Sequence, residues 1–598
     1  MIIVAPEPLA RLYSRSFFRA TWFAMALDAG FFTALPIRRK WIRDIASILF
    51  SGYYLIFAEA ADEKVRKVRA TITVEQIRVS WEKQVRNPYI RIATMINAGR
   101  IRCLKEVTIP RDGAEPVMAW LYWNGTEREL AACDKLVLSI TGGGAVSMTP
   151  RCHDEYLIPW TKRLGIPILS INYRFGSLLA RLTSRKAPEY PYPYAINECF
   201  DVYKLLCKQN NPILPFRPRK VVFVGDSAGG NFATSLLLRV INERLPRPIG
   251  LILIYPNLDY NIHSWMSDEQ MALFKSQSLK EIPSAVLDTK QDYERRKSVL
   301  QLTPDSQPTS FLRKEAPRPP SDPVEPVRKK KNPGIATRLA MTSRVAFSQD
   351  RIITTELMRA MAILYIGPKN KPDFNTDYML SPIIAPSDLF MQFPKTYLMC
   401  GEKDPLVDDT ILLAGRIREA KRAQRRRHRG MQMSSREELD TEWVEMMLIR
   451  GVSHGFLQMT AFLKEGRVAV DKVGTWLEDL FSDILHESKS NGSVNNKVTF
   501  SIEDDESEED DEKPLEINSS RQMSPQLSNQ GPQPGSSPRK ASPVKDKDNK
   551  RYHYRHDTWE SRNVLQEHLL MDRRREALTR GLEVTPPTDT AGNTATGK

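Results

Sequence analysis

The hexapeptide Gly225-Asp226-Ser227-Ala228-Gly229-Gly230 follows the apolar run VVFV (221–224) and leads into NFATSLLLRVI (231–241). Gly-x-Ser-x-Gly between a strand and a helix is the nucleophile elbow. The turn is too tight for side chains at Gly225 and Gly229, so it lifts the serine oxygen clear of the sheet, and the start of the helix favours developing negative charge. The pentapeptide alone is a weak signal, and its surroundings carry the weight. About 80 residues upstream, Thr141-Gly142-Gly143-Gly144 follows LVLSI (136–140). Backbone without side chains there can point its N–H groups at an oxyanion. Downstream, Asp404 lies in CGEKDPLVDD (400–409), after the run TYLMC (396–400). That is a loop at a strand's C-terminal end, where active sites of such sheets collect. Asp408 and Asp409 stand beside it as rival acids. His454 lies in GVSHGF (451–456), just after VEMMLI (444–449).

Elimination supports the histidine. The chain has eight: His153, His263, His428, His454, His486, His553, His556 and His568. Only His153 and His454 fall in sequence patterned as a folded α/β unit, and His153 precedes the serine. The order Ser…Asp…His is that of the α/β-hydrolases and differs from both serine-protease orders.

These loops need a sheet to hold them. Short apolar runs at 136–140, 168–173, 221–224 and 251–255, separated by amphipathic helical stretches such as 196–206, predict a parallel sheet covered on both faces. The pattern is lost from 261 to 340, where 302–333 is rich in Pro and charge, and it returns with strands at 396–400 and 444–449. After 486 the chain is polar, with nine acids among the ten residues 503–512. The expected architecture is therefore an α/β-hydrolase fold with a mostly parallel central sheet, its two parts at 106–260 and 341–485. A helical N-terminal cap occupies 1–105, a largely disordered insertion 261–340, and a disordered tail 486–598.

Composition agrees with one folded unit diluted by polar stretches. Of 598 residues 41% are hydrophobic and 27% charged, and Pro (41) outnumbers Gly (29). The net charge of +15 is split among separate basic runs, Arg328–Lys331 and 421–429, and offset by the acidic one. Neither basic run is interleaved with stacking aromatics, so nucleic acid is not an expected partner. A solvated face is the plain reading of these runs, and attraction to anionic headgroups the functional one. Six isolated cysteines without CxxC or ligand spacing, and no secretory signal at the N-terminus, read as reduced thiols in a cytosol-facing protein that needs neither metal nor cofactor.

The segments TGGG, PRCHDEYLIPW, SINY, APEYPYPYAINECFDVY, GDSAGGN, IYPNLD, DYMLSPIIAP, KDPLVDD and SHGF resemble, in order, the hormone-sensitive lipase family of α/β-hydrolases. The N-terminal stretch WIRDIASILFSGYYLIFAEAADEKVRKVR looks like its fungal members. The resemblance implies hydrolysis of acyl esters such as acylglycerols, sterol esters or smaller esters. It implies Ser227 as nucleophile, His454 as general base and then acid, and Asp404, rather than Asp408 or Asp409, as the group that orients the imidazole. Gly143, Gly144 and the amide of Ala228 would form the oxyanion hole, with Gly142, Gly225 and Gly229 in support. The chain departs from the family at Thr141, where relatives carry His and where Thr is expected to hydrogen-bond locally. It departs again at 175–185 (FGSLLARLTSR), which interrupts a segment continuous in relatives.

The run 45–58 (IASILFSGYYLIFA) is uncharged but only 14 residues long, short of the ~20 needed to cross a bilayer. It is expected to pack as part of the cap. The sharper alternative is an interfacial helix pair with Trp22, Phe23, Phe31, Phe32 and Trp41 at headgroup level, peripheral on a membrane or lipid droplet. Arg295-Arg296-Lys297-Ser298 fits the pattern of cyclic-AMP-dependent kinases, and the family carries kinase sites in the corresponding region. Ser507, inside the acid run, fits an acidophilic kinase. Two other readings accompany ester hydrolysis: a catalytically weak lipid-binding or scaffold relative, and an acyltransferase using the same triad.

Overall fold

The computed structural model describes residues 13–111, 113–173, 186–209, 211–260, 342–347, 350–374, 376–429 and 441–482. The expected insertion and tail, the interruption at 175–185, and Ser298 and Ser507 lie outside the described residues.

Eight strands form one sheet in the order β1-β2-β4-β3-β5-β6-β7-β8. They are β1 Cys103–Arg111, β2 Ala114–Trp123, β3 Lys135–Ile140, β4 Ile168–Asn172, β5 Lys220–Asp226, β6 Gly250–Ile254, β7 Lys395–Gly401 and β8 Val444–Ile449. The first two pair antiparallel with each other, and β2 is antiparallel to β4; every later neighbour is parallel. Apolar side chains go to both faces. In β5, Val221 and Phe223 enter one core cluster while Val222 and Val224 enter the other. Leu251 and Leu253 of β6 divide from Ile252 and Ile254 in the same way. A strand covered on both sides must be apolar at every position, which is why these strands read as unbroken runs.

Topology places the chemistry. The chain runs from β3 to β4 on one side, then crosses back to β5 on the other. Such a switch point opens a crevice at the strands' C-terminal ends. Ile140 lies opposite Gly225, so the loops after β3 and β5 leave the sheet side by side. Gly401 lies opposite Ile449, so the loops after β7 and β8 do the same.

Six helices precede the sheet: α1 Arg15–Ala34, α2 Lys40–Ile56, α3 Ala58–Ala70, α4 Val74–Trp81, α5 Lys83–Arg86 and α6 Pro88–Ala98. Ser14 caps α1 by accepting from the Phe17 amide, and Asn87 caps α6 by accepting from Tyr89 and Ile90. Phe31 and Phe32 are buried, and Phe23 packs on Phe462 with ring centroids 4.6 Å apart. Phe31 and Phe32 thus sit inside the cap, as the packing expectation has it, and Phe23 lies on the cavity wall; none of the three points outward as in the interfacial alternative. Trp41 alone of the five points well into solvent.

Candidate active site

Ser227 links β5 to α7 (Ala228–Asn242) with φ 52° and ψ −122°. A non-glycine residue held at positive φ is strained, and the flanking packing enforces it. A Cβ on Gly225 would come within 2.4 Å of the Gly229 carbonyl, and one on Gly229 within 2.0 Å of the Ile140 carbonyl. Only glycine lets the turn close this tightly against β3. The Ser227 amide and carbonyl are both engaged, to Ile254 O at 3.0 Å and from the Asn257 amide at 3.1 Å. The side chain alone is free to project.

It projects at His454, whose Nε2 lies 2.9 Å from Ser227 Oγ. His454 Nδ1 lies 2.8 Å from Asp404 Oδ2, and Asp404 Oδ1 accepts the Leu406 amide at 2.8 Å. The structure thus brings together the three residues singled out, from the loops that follow β5, β7 and β8. Asp408 and Asp409 are turned elsewhere. Asp408 accepts from the Ser343 amide at 2.8 Å, and Asp409 is paired with Arg344 and accepts from the amides of Leu258 and Asp259. Burial pulls the His454 imidazolium down, but the Asp404 charge and hydrogen bond, with Asp350 and Asp226 behind them, outweigh it and hold the group above its ordinary value. A hydroxyl, an imidazole and a buried carboxylate in this chain of contacts can remove a proton from the hydroxyl as it attacks a carbonyl.

The glycine loop is gripped from outside. Asp226 Oδ1 accepts the Gly142 amide at 2.9 Å, so that amide is committed. Tyr173 donates its hydroxyl to the carbonyls of Thr141 and Gly142 at 3.0 and 3.2 Å. Arg78 Nε donates to Val146 O at 3.1 Å, and Lys186 Nζ to Ser147 O at 2.7 Å and to Met148 O. Glu82 accepts the Met148 amide at 3.0 Å. With its carbonyls held outward, the loop keeps the amides of Gly143 and Gly144 unbonded among the described residues. Gly143, at φ 111°, lines the same cavity as Ser227 and His454. Gly144 backs onto Met361, whose sulfur a Cβ would meet at 2.0 Å. Ala228 begins α7, where the first amides have no partner within the helix and the dipole's positive end lies. Thr141 corrects an expectation: its hydroxyl is buried and finds no partner among the described residues, because Tyr173 reaches the carbonyl and not the side chain.

The nucleophile opens into a cavity of about 450 Å³. Phe23 and Leu27 of α1, Ile48 of α2, Trp81 of α4, Ile90 of α6 and Met459 form much of its wall. Glu155 also faces it, accepting from the Thr460 amide and hydroxyl at 3.2 and 2.8 Å, and burial pushes its carboxyl up to about 7. His153, set aside by chain order, is fully buried beside Asp226, its Nδ1 4.0 Å from Asp226 Oδ2. Sequence reasoning missed Asp350, which accepts from Tyr13 at 2.9 Å and from Ser453 next to the histidine. It missed Tyr255 too, whose ring lies 4.5 Å from the imidazole. The grip of Tyr173, Lys186, Arg78 and Glu82 on the glycine loop was missed as well. Only Tyr173 had a local signal, at the end of a strand beside the glycine loop. Among the described residues no group of His, Cys, Asp and Glu side chains is gathered as metal ligands, and all six cysteines are free. Arg425, in the basic run, lies over the Trp443 ring and near Glu442.

A family model described as the α/β hydrolase fold matches residues 137–309 and 332–436. Hormone-sensitive lipase from Mus musculus is 36% identical over 121 residues, which cover 20% of this chain and 14% of that protein. An esterase from Acinetobacter venetianus is 31% identical over 134 residues, covering 22% of this chain and 39% of that one. The matched stretches thus span well under half of either relative. Of solved structures, an esterase from Pyrobaculum calidifontis covers 70% of this chain and 97% of its own, at 20% identity and a TM-score of 0.44. A carboxyl esterase from Tuber melanosporum covers 64% and 88%, at 16% identity and a TM-score of 0.41.

Proposed function

We propose that this chain, an α/β-hydrolase related to the hormone-sensitive lipases, hydrolyses carboxylic esters through an acyl-enzyme. Ser227 Oγ attacks the ester carbonyl as His454 Nε2 takes its proton. The amides of Gly143, Gly144 and Ala228 receive the oxyanion, and Asp404 stabilises the imidazolium that forms. His454 returns the proton to the departing alkoxide, then activates a water that releases the acid. The continuous chain of contacts from Ser227 through His454 to buried Asp404 is the observation that carries this reading. The apolar wall of the cavity favours an apolar acyl or sterol group over a charged one.

The experiment is labelling with a fluorophosphonate probe alongside hydrolysis of p-nitrophenyl butyrate. Labelling and turnover are expected in the full chain, and both vanish in Ser227→Ala. A wild-type protein that neither labels nor turns over ester leaves the weak-relative reading, which the partnerless Thr141 hydroxyl favours.

A further inference from the structure

Helix α2 is built inside out. Of its 17 residues only Ser47 and Ser51 are buried. They lie one turn apart against Gly30 of α1, where an added Cβ would come 2.2 Å from Ser51 Oγ. The large apolar side chains point the other way. Trp41, Ile45, Leu49, Tyr53 and Ile56 recur at three- and four-residue spacing, with Leu49 70% and Ile56 77% exposed. Helix α6 continues the face. Asn87, its cap, donates to Asp44 O and Ser47 Oγ of α2 at 3.0 and 3.1 Å, and Tyr89, Ile92 and Ile96 are exposed, Ile96 by 78%. Soluble monomers rarely gather so many large apolar groups on one face. Small residues at the helix contact with bulky apolar ones turned outward is the arrangement that a lipid surrounding selects.

Charge identifies the kind of surface. Residues 13–102 carry sixteen Lys and Arg against seven Asp and Glu. Arg38, Arg39 and Lys40 are exposed at the start of α2, as are Arg86 just before α6 and Arg91 within it. An apolar face bordered by cations complements an anionic headgroup layer, whereas a second copy would bring like charges together. Among the described residues no single helix is long and apolar enough to cross a membrane, and α2 meets α3 at a bend of 120°. Together α2 and α3 have the length and composition of a span, but a bend this sharp suits helices that lie along a surface better than one that crosses it.

We propose that the outer faces of α2 and α6 seat the protein on an anionic lipid surface, with the catalytic cavity opening beside it. Ile48 of α2 and Tyr89, Ile90 and Ala93 of α6 belong to the wall of the cavity that reaches Ser227. Tyr89 is both exposed and part of that wall. An ester dissolved in the lipid therefore passes between the two helices toward the nucleophile. This delivery rests on the ester-hydrolase reading; the docking does not.

The test uses the full chain with vesicles of equimolar phosphatidylcholine and phosphatidylserine, and with phosphatidylcholine alone, read by co-sedimentation. Wild type is expected to bind the mixed vesicles, less in high salt, and phosphatidylcholine more weakly. Leu49→Glu with Ile56→Glu is expected to lower binding at least about tenfold, and Ile96→Glu alone about threefold. Turnover of soluble p-nitrophenyl butyrate should stay unchanged in these variants, which also reports that they fold. Undiminished vesicle binding in the double variant, or none in the wild type, overturns the proposal. So does a dimer in gel filtration that the same substitutions dissociate without affecting vesicle binding. Vesicle binding without any ester turnover leaves the docking standing and removes the hydrolase reading.

Discussion

Replacing Asp404 by Asn tests charge and tautomer together. Asp404 Oδ1 accepts the Leu406 amide and Oδ2 faces His454 Nδ1, both at 2.8 Å. Asparagine keeps one oxygen. If that oxygen stays on the Leu406 amide, the NH₂ group faces Nδ1 as a donor, and the ring must carry its proton on Nε2. In that tautomer it cannot accept the Ser227 proton. If the amide turns over, two donors meet in a buried site, at a cost of about 1–3 kcal/mol. The charge matters as well. A carboxylate about 4 Å from the imidazolium's centre, at an effective dielectric of about 20, contributes about 4 kcal/mol, close to a thousandfold in rate. The variant should therefore hydrolyse p-nitrophenyl butyrate about 10³–10⁴-fold more slowly in kcat, with KM within a few fold. The pH profile supplies a second readout. Protonated His454 is inactive, and Asp404 helps hold its pKa above the ordinary value, so activity in the wild type rises with pH above that ordinary value. Without the carboxylate, burial dominates and the acid limb moves to lower pH. A variant that folds, keeps kcat within tenfold and leaves the limb in place would refute Asp404 as the orienting group.

Two further substitutions probe what surrounds the triad. Lys186→Met keeps the length of the side chain but strips the donor from the carbonyls of Ser147 and Met148, so the glycine loop loses an anchor; kcat should fall about 10–100-fold with KM nearly unchanged. A lower melting temperature with kcat intact would assign Lys186 to stability alone. His153 is buried, its Nε2 has no partner among the described residues, and burial drives its pKa down to about 4. The unfolded chain takes up a proton there as pH falls below about 6.5 while the folded chain cannot, so stability is full above that value and declines toward pH 4. The loss is about 2 kcal/mol at pH 5, and urea unfolding of His153→Gln at pH 7.5 and pH 5 should show a correspondingly flatter dependence. An equal pH dependence in variant and wild type would count against it.

What could be read before the structure, and what could not, divides along physical lines. The elbow, the glycine triplet and the loop of His454 each announce themselves within a few residues, because a tight turn beside a strand demands particular residue types at fixed offsets. β1 and β2 escaped notice for a different reason. β1 is an edge strand with one fully buried residue, Ile109, so its sequence CLKEVTIPR has too little apolar contrast to stand out. Choosing Asp404 over Asp408 and Asp409 needed the family resemblance, since all three share one short segment. The partner that occupies Asp409 is Arg344, 65 residues earlier, and no local pattern foretells it. The same holds for Glu82, Arg78 and Lys186 on the glycine loop, three polar residues that converge from the cap and from beyond β4.

Helix α2 is the instructive intermediate case. Its uncharged run marked an apolar helix, and packing into the cap was the expected outcome, yet the bulk of that apolar surface faces away from the protein. Pattern reading assumes that the large apolar residues choose the buried side. Here the approach of α1 at Gly30 leaves no room for them, and Ser47 and Ser51 take the contact because they are small. When the smallest residues of an apolar helix recur four apart, they mark the packed face. The large residues opposite are left exposed, and that exposure, with cations bordering the face, is what the proposed docking on a lipid surface rests on.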